Sequence, residues 1–145
     1  MLTQTKKAYL AGFLDGDGSI YVRLKPNPTY KYGFQVAPYI VLFQSQKEKE
    51  NFEKICSLIG LGYLRIRRDG ILEYIIGKLN ELREFLKIIK PFVILKKEQV
   101  ALMIEILDKK EKVGNEQDFR KLADLIDRFG ELNYSKKCKK HRLTP

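Results

Sequence analysis

Little in this 145-residue sequence suggests a protein that works through cysteine, crosses a membrane or repels polyanions. It has two cysteines, Cys56 in an apolar helical run and Cys138 in a lysine cluster, without the C-x-x-C spacing of a zinc site. Reduced thiols are therefore expected. No stretch reaches the roughly 18 uninterrupted apolar residues of a spanning helix, and the opening MLTQTKKAYL lacks the long apolar core of a signal peptide. These absences point to a soluble, intracellular protein, cytoplasmic or organellar according to its host, with no membrane partner. Acidic residues are also scarce: 18 Asp+Glu against 28 Lys+Arg leave a net charge of +10. That balance suits a polyanionic partner and a salt-sensitive association, with nucleic acid the first candidate and a merely basic soluble protein the plainer reading.

What is present is enough for a core. At 44% hydrophobic residues, positions 1–134 suit one domain of ordinary size, followed by a basic tail, 135–145, carrying KKCKKHR. Residues 3–14 have helical spacing, with Leu10, Phe13 and Leu14 on one side and the small Ala8, Ala11 and Gly12 on another. From 19 to 25 the chain alternates: Ser19, Tyr21, Arg23 and Lys25 point one way, and Ile20, Val22 and Leu24 the other. After the turn-forming PNPT, residues 32–45 read as a longer strand in which Pro38 demands a bulge or an edge, leaving the parity of Gln35, Tyr39 and Gln44 open. A helix over 47–59 ends at Gly60. Strands at 62–68 and 71–76 flank a tight Asp69-Gly70 turn, and helices follow at 79–89, 96–112 and 116–129. This order predicts an α+β fold, a four-stranded antiparallel sheet with helices on one face and further C-terminal helices. The uncovered face would carry Arg23, Lys25, Arg65 and Arg67, a basic saddle for a duplex.

The stretch LAGFLDGDGSI raises a separate question, because it places two carboxylates and glycines where a helix meets a strand. A calcium loop of the EF-hand type is excluded, since Phe13 and Leu24 would occupy its first and last ligand positions. A helix C-cap with Gly16 or Gly18 left-handed explains the glycines. It leaves both acids at the negative end of the helix dipole, where something cationic should compensate them.

The nine residues Leu10-Ala11-Gly12-Phe13-Leu14-Asp15-Gly16-Asp17-Gly18 resemble the signature of the LAGLIDADG homing endonucleases. Further echoes of the single-motif members are Lys25-Pro26-Asn27 with Tyr30, Gly60-Leu61-Gly62-Tyr63, and Pro91-Phe92-Val93-Ile94-Leu95-Lys96, so the resemblance spans roughly residues 8–130. It implies an αββαββα fold, with signature helices paired between subunits and sheets lying in the DNA major groove. Ala8, Ala11, Gly12 and Asp15 would then form the dimer interface. A single motif implies an intron-encoded homodimer that cuts both strands of a long pseudo-palindromic DNA site.

The resemblance also implies roles. Asp17 would bind divalent metal, Mg²⁺, with the carbonyl of Gly16, while Ca²⁺ would support binding without cleavage. Asp15 would be structural. Gln46, with Gln44 as rival, would position the hydrolytic water, and Lys96, with Lys97 as rival, would approach the scissile phosphate. Glu50 departs from relatives that carry a basic residue there. Base-reading candidates on the outward strands are Arg23, Asn27, Gln35, Gln44, Arg65, Arg67 and Glu73, with Lys25 and Tyr30 suited to bases or phosphates and Lys139 of the tail to phosphates. RNA maturases, which would bind host-intron RNA, and non-cleaving DNA-binding regulators share this signature and form the alternative.

Overall fold

The computed structural model describes residues 2–133; Lys139, Cys138 and the basic tail lie outside them. The elements are α1 (Gln4–Asp17), β1 (Gly18–Pro26), β2 (Phe34–Ser45), α2 (Lys49–Ile59), β3 (Tyr63–Ile66), β4 (Ile71–Ile76), α3 (Leu79–Ile89), α4 (Lys97–Glu111) and α5 (Glu116–Leu132). The four strands make one sheet in the order β1-β2-β4-β3, so the expected α+β architecture is the one observed. Among the described residues no helix is long and apolar enough to cross a membrane.

The chain forms two compact units and passes between them three times, within β1, within β2 and at the start of α4. Of the described residues, the first comprises those up to Ile20 and Tyr39–Lys97, and the second Tyr21–Pro38 and those from Glu98 on. Each has its own apolar core. In the first, Leu10, Leu14, Ile40, Leu42, Phe52, Leu72, Ile76, Leu82 and Phe85 are sealed from solvent. In the second, Phe119 of α5 stacks on Tyr32 and Phe34 with ring centroids 5.1 and 6.4 Å away, beside buried Met103, Ile106 and Ile126. β1 keeps the expected alternation, burying Ile20, Val22 and Leu24 and turning Arg23 outward.

Three local expectations need correction. First, α1 does not stop at Leu14 but continues to Asp17, and neither Gly16 nor Gly18 is left-handed. Gly18 is extended at φ −118°, and what demands glycine there is space: a Cβ would stand 2.7 Å from the Leu14 carbonyl oxygen. Second, the β3–β4 connection is one residue longer than a tight Asp69-Gly70 turn. Arg68 and Asp69 occupy its centre, the Gly70 N–H closes onto the Arg67 carbonyl at 3.1 Å, and Gly70 takes the left-handed position at φ 83°. This is a three-residue hairpin loop closed by a glycine bulge.

Third, Pro38 lies on an interior strand, just outside the ladder with β4, which begins at the Ile40–Ile76 pair. Ala37 and Pro38 are both buried, so the alternation slips there. Beyond the slip, Gln44 pairs with fully buried Leu72 and shares the inward parity of Ile40 and Leu42. Its Oε1 accepts the Ser45 N–H at 2.8 Å. Gln44 is thus on the core side of the sheet, opposite to the face on which a base-reading residue was expected.

Candidate active site and nucleic-acid interface

The end of α1 separates its two carboxylates. Asp15 turns toward the segment that precedes α4, where its Oδ2 accepts the N–H groups of Ile94 and Leu95 at 2.8 and 3.2 Å. Its Oδ1 accepts the Lys96 N–H at 3.0 Å. These amides stand at the start of a helix and have no carbonyl partner within it, so a carboxylate is the natural acceptor. The Lys96 ammonium reaches back to the Asp15 carbonyl oxygen at 2.9 Å. A cation therefore sits on the carbonyl-rich, negative end of α1, the compensation that the acidic terminus called for. Lys96, half-buried and tied down, is the lysine brought to this place; its rival Lys97 is exposed on the first turn of α4.

Asp17 is the opposite case. It is exposed, and among the described residues its carboxylate has no hydrogen bond or ion pair. The neighbouring Gly16 carbonyl belongs to the last helical turn, where intrahelical donors run out, and a Cβ at Gly16 would meet nothing within 4 Å. A free carboxylate beside a backbone carbonyl is a hard oxygen pair of the kind Mg²⁺ takes along with water and phosphate oxygens. Among the described residues no three acidic, histidine or cysteine side chains gather as a cluster.

Gln46 is anchored through its backbone. It opens the short turn between β2 and α2, and its N–H donates to the Gly70 carbonyl at 2.9 Å, fixing it to the tip of the β3–β4 hairpin. Its side chain is exposed, as is Glu50 on the first turn of α2.

On the outward side of β3 and β4, Glu73 joins two arginines. Arg65 lies directly across the ladder from Glu73 and bonds it at 3.0 Å, while Arg67 approaches its other oxygen at 3.6 Å and Asp69 at 2.6 Å. With Glu73 largely covered and both arginines exposed, the carboxylate holds two guanidinium forks upright and leaves their remaining N–H groups outward. Phe43, across from Glu73 on β2, completes this row. Sequence reasoning missed Phe43 because the slip at Pro38 concealed the register.

In the second unit, Arg23 lies over the Tyr21 ring at 5.4 Å. Asn27 uses its side-chain oxygen locally, accepting the Thr29 N–H at 3.0 Å and hydroxyl at 2.7 Å. Tyr30 is exposed on the same loop; Lys25 and Gln35 are half-buried.

The small face of α1 also differs from expectation. Ala11 is fully buried inside the chain and Asp15 turns inward, so neither belongs to an exposed stripe. The stripe that remains open is Ala8, Gly12 and Gly16, spaced i, i+4, i+8 along one side of the helix. Near the motif in sequence or through Asp15, the chain exposes Tyr9, Ile94 and Leu95, the last two at 79% and 75%. Ile94 and Leu95 thus form a small exposed apolar patch on consecutive residues.

A helix end with one committed and one free carboxylate, an ordered lysine beside it, and a strand face carrying exposed arginines have the chemistry suited to nucleic-acid phosphodiesters. Known proteins place it further. The LAGLIDADG endonuclease family model matches residues 10–106. DNA endonuclease I-CreI of Chlamydomonas reinhardtii is 34% identical over 129 residues, 88% of this chain and 78% of that protein. DNA endonuclease I-CvuI of Chlorella vulgaris is 31% identical over 134 residues, 92% of this chain and 83% of that one. The chain belongs to the LAGLIDADG endonuclease family. Among solved structures, I-CvuI bound to the I-CreI target with Mg, its DNA uncleaved, superposes with a TM-score of 0.84 at 29% identity, covering 96% of this chain and 87% of that one. The DNA complex of the archaeal intron-encoded I-Vdi141I, at 23% identity and a TM-score of 0.82 over 96% and 90% of the two chains, shares the fold.

Proposed function

We propose that this chain is a site-specific homing endonuclease, residues 1–134 forming its catalytic domain, which as a homodimer hydrolyses both strands of a long, nearly palindromic DNA site with Mg²⁺. The observation that carries the proposal is the division of labour at the end of α1. Asp15 receives three backbone amides, whereas Asp17 is exposed and, among the described residues, takes no hydrogen bond or ion pair. Family membership and relatives studied as DNA complexes support the substrate.

In this reading two copies pair along Ala8, Gly12 and Gly16, where nothing larger than a methyl group separates the backbones, and Ile94 and Leu95 are covered at the same time. Pairing brings two Asp17 carboxylates together, and two like charges in one place favour a shared cation. Asp17 and the Gly16 carbonyl of each copy hold Mg²⁺, which when bound supplies an activated water and offsets charge on the phosphate. Lys96, held at the Asp15 carbonyl, presents its remaining ammonium protons to a scissile phosphate oxygen. Gln46, on the turn fixed to Gly70, orients the attacking water through its side-chain amide. Arg65 and Arg67 read bases from one unit and Arg23 and Asn27 from the other, with Lys25, Tyr30 and Gln35 beside them. Ca²⁺ supports binding without cleavage, and the I-CvuI complex with its own target in the presence of Ca is in keeping with that use.

Selection of cleavable sites from a randomised duplex library with Mg²⁺ tests the proposal. Recovery of one nearly palindromic site supports it. A protein that enriches bound sites and cuts none of them would be a regulator instead.

A further inference from the structure

Resting on the reading of the sheet as the DNA-contacting surface, we propose that a recess at the far end of β4 reads the C5-methyl group of a thymine in each half-site. The recess, about 320 Å³ in volume, is bounded by Tyr39, Gly62, Tyr63, Ile75, Lys78 and Glu81. Ile75 has the parity of Glu73 and faces Tyr63 across the ladder, just as Glu73 faces Arg65. The recess therefore opens on the side that carries the arginine pair. It lies two residues further along each strand, about 7 Å away. That separation is about the rise of two base pairs at roughly 3.4 Å each.

Its lining explains what it would select. Arginine, glutamine and asparagine recognise purine edges through hydrogen bonds, whereas the thymine methyl is recognised by apolar contact. Ile75 provides an aliphatic wall and Tyr39 and Tyr63 provide aromatic ones. Gly62 keeps the wall close: at φ 74° its backbone lies so near β4 that a Cβ would run into the Ile75 carbonyl oxygen. Its N–H is held by Glu81 Oε2 at 3.2 Å, which commits one oxygen of the acid to the protein rather than to a base. Lys78, at the rim, offers a cation to the adjoining phosphate. Tyr63 is 58% exposed, so its ring stands available to a base edge.

The test uses the intact protein on its selected site in Ca²⁺. Each thymine is replaced in turn by deoxyuridine, which differs only by the missing methyl group. At one position per half-site, removing the methyl should weaken binding about fourfold, and about fifteenfold when both half-sites are changed, the worth of one buried CH₂-sized group at each. Ile75→Ala should bind the thymine and deoxyuridine sites alike, and 5-methylcytosine at that position should bind better than cytosine. The deoxyuridine scan needs no variant and decides the matter even if Ile75→Ala folds poorly. Specific binding with deoxyuridine equal to thymine everywhere would overturn the methyl-reading role alone. So would a cytosine preference that Glu81→Ala relaxes, since that would make Glu81 the reader. Absence of specific binding to any duplex would overturn the endonuclease reading and this one with it.

Discussion

Replacing Gly12 with leucine separates the folding of one chain from the pairing of two. Gly12 is an exposed mid-helix residue, and a Cβ built there meets nothing within 4 Å. Inside one chain the substitution should therefore be harmless, and it removes the roughly 0.5–1 kcal/mol that a helical glycine costs relative to alanine. At a dimer axis each new side chain falls on the small stripe of the partner. Overpacking a filled contact costs about 1–3 kcal/mol per site. With two sites related by symmetry, the dimer should lose about 2–6 kcal/mol, or about 30-fold to more than 10⁴-fold in its association constant. Sedimentation over a range of concentrations, run beside thermal unfolding, reads both halves of the expectation. The unmodified chain should be a dimer, and Gly12→Leu a monomer with an undiminished helical signal. Equal dimerisation by the two proteins, or an unmodified chain that is monomeric and active, would refute the helix-pairing argument. Loss of folded structure in the variant would contradict the open surroundings of Gly12.

Other expectations follow from the same geometry. Asp15→Asn gives up the charge that receives three amides, so its melting temperature should drop by an amount matching about 1–2 kcal/mol, as for a lost helix cap, while cleavage persists at low temperature. A variant as stable as the original would show that these bonds are idle. Arg65→Ala should relax one base-pair preference in each half-site by roughly 1–3 kcal/mol, read by competitive binding to single-position variants of the site. Equal weakening at every sequence would place Arg65 on phosphates. Burial pushes the Cys56 thiol up to about 11 and the Tyr74 phenol up to about 12. Above the thiol's ordinary 9.0 the unfolded chain sheds protons that the native chain retains, so stability should fall as pH rises from there and stay unaffected by these groups below it. Melting curves of Tyr74→Phe should show a smaller alkaline loss than those of the unmodified chain; an identical loss would remove Tyr74 from the account.

Local pattern carried most of the fold. Alternation in β1, helical spacing in α3 and the Asp-Gly pair between β3 and β4 are signals contained within a few residues, and these elements appear where expected. What the pattern concealed depends on distant partners. The amides that donate to Asp15 lie about 80 positions away, so nothing near LAGFLDGDG distinguishes its two acids. Ala11 and Gly12 are adjacent small residues, yet the helix turns one into the core and the other outward, a distinction of one position. Gln44 is polar and close to the site in sequence. The slip of alternation at Ala37-Pro38 sends it inward and puts Phe43 on the outward face in its place.

The central claim is that Asp17, and not Asp15, carries the chemistry. Asp17→Asn keeps the size of the side chain and removes the charge that holds Mg²⁺, while the residues that locate the site lie on the strands. On one selected DNA site, the variant should bind in Ca²⁺ or EDTA at least as tightly as the unmodified protein, because two negative charges per dimer are gone from beside the phosphates. In Mg²⁺ it should not cleave. Undiminished cleavage by Asp17→Asn would contradict the account and leave the acidic motif with a purely structural role.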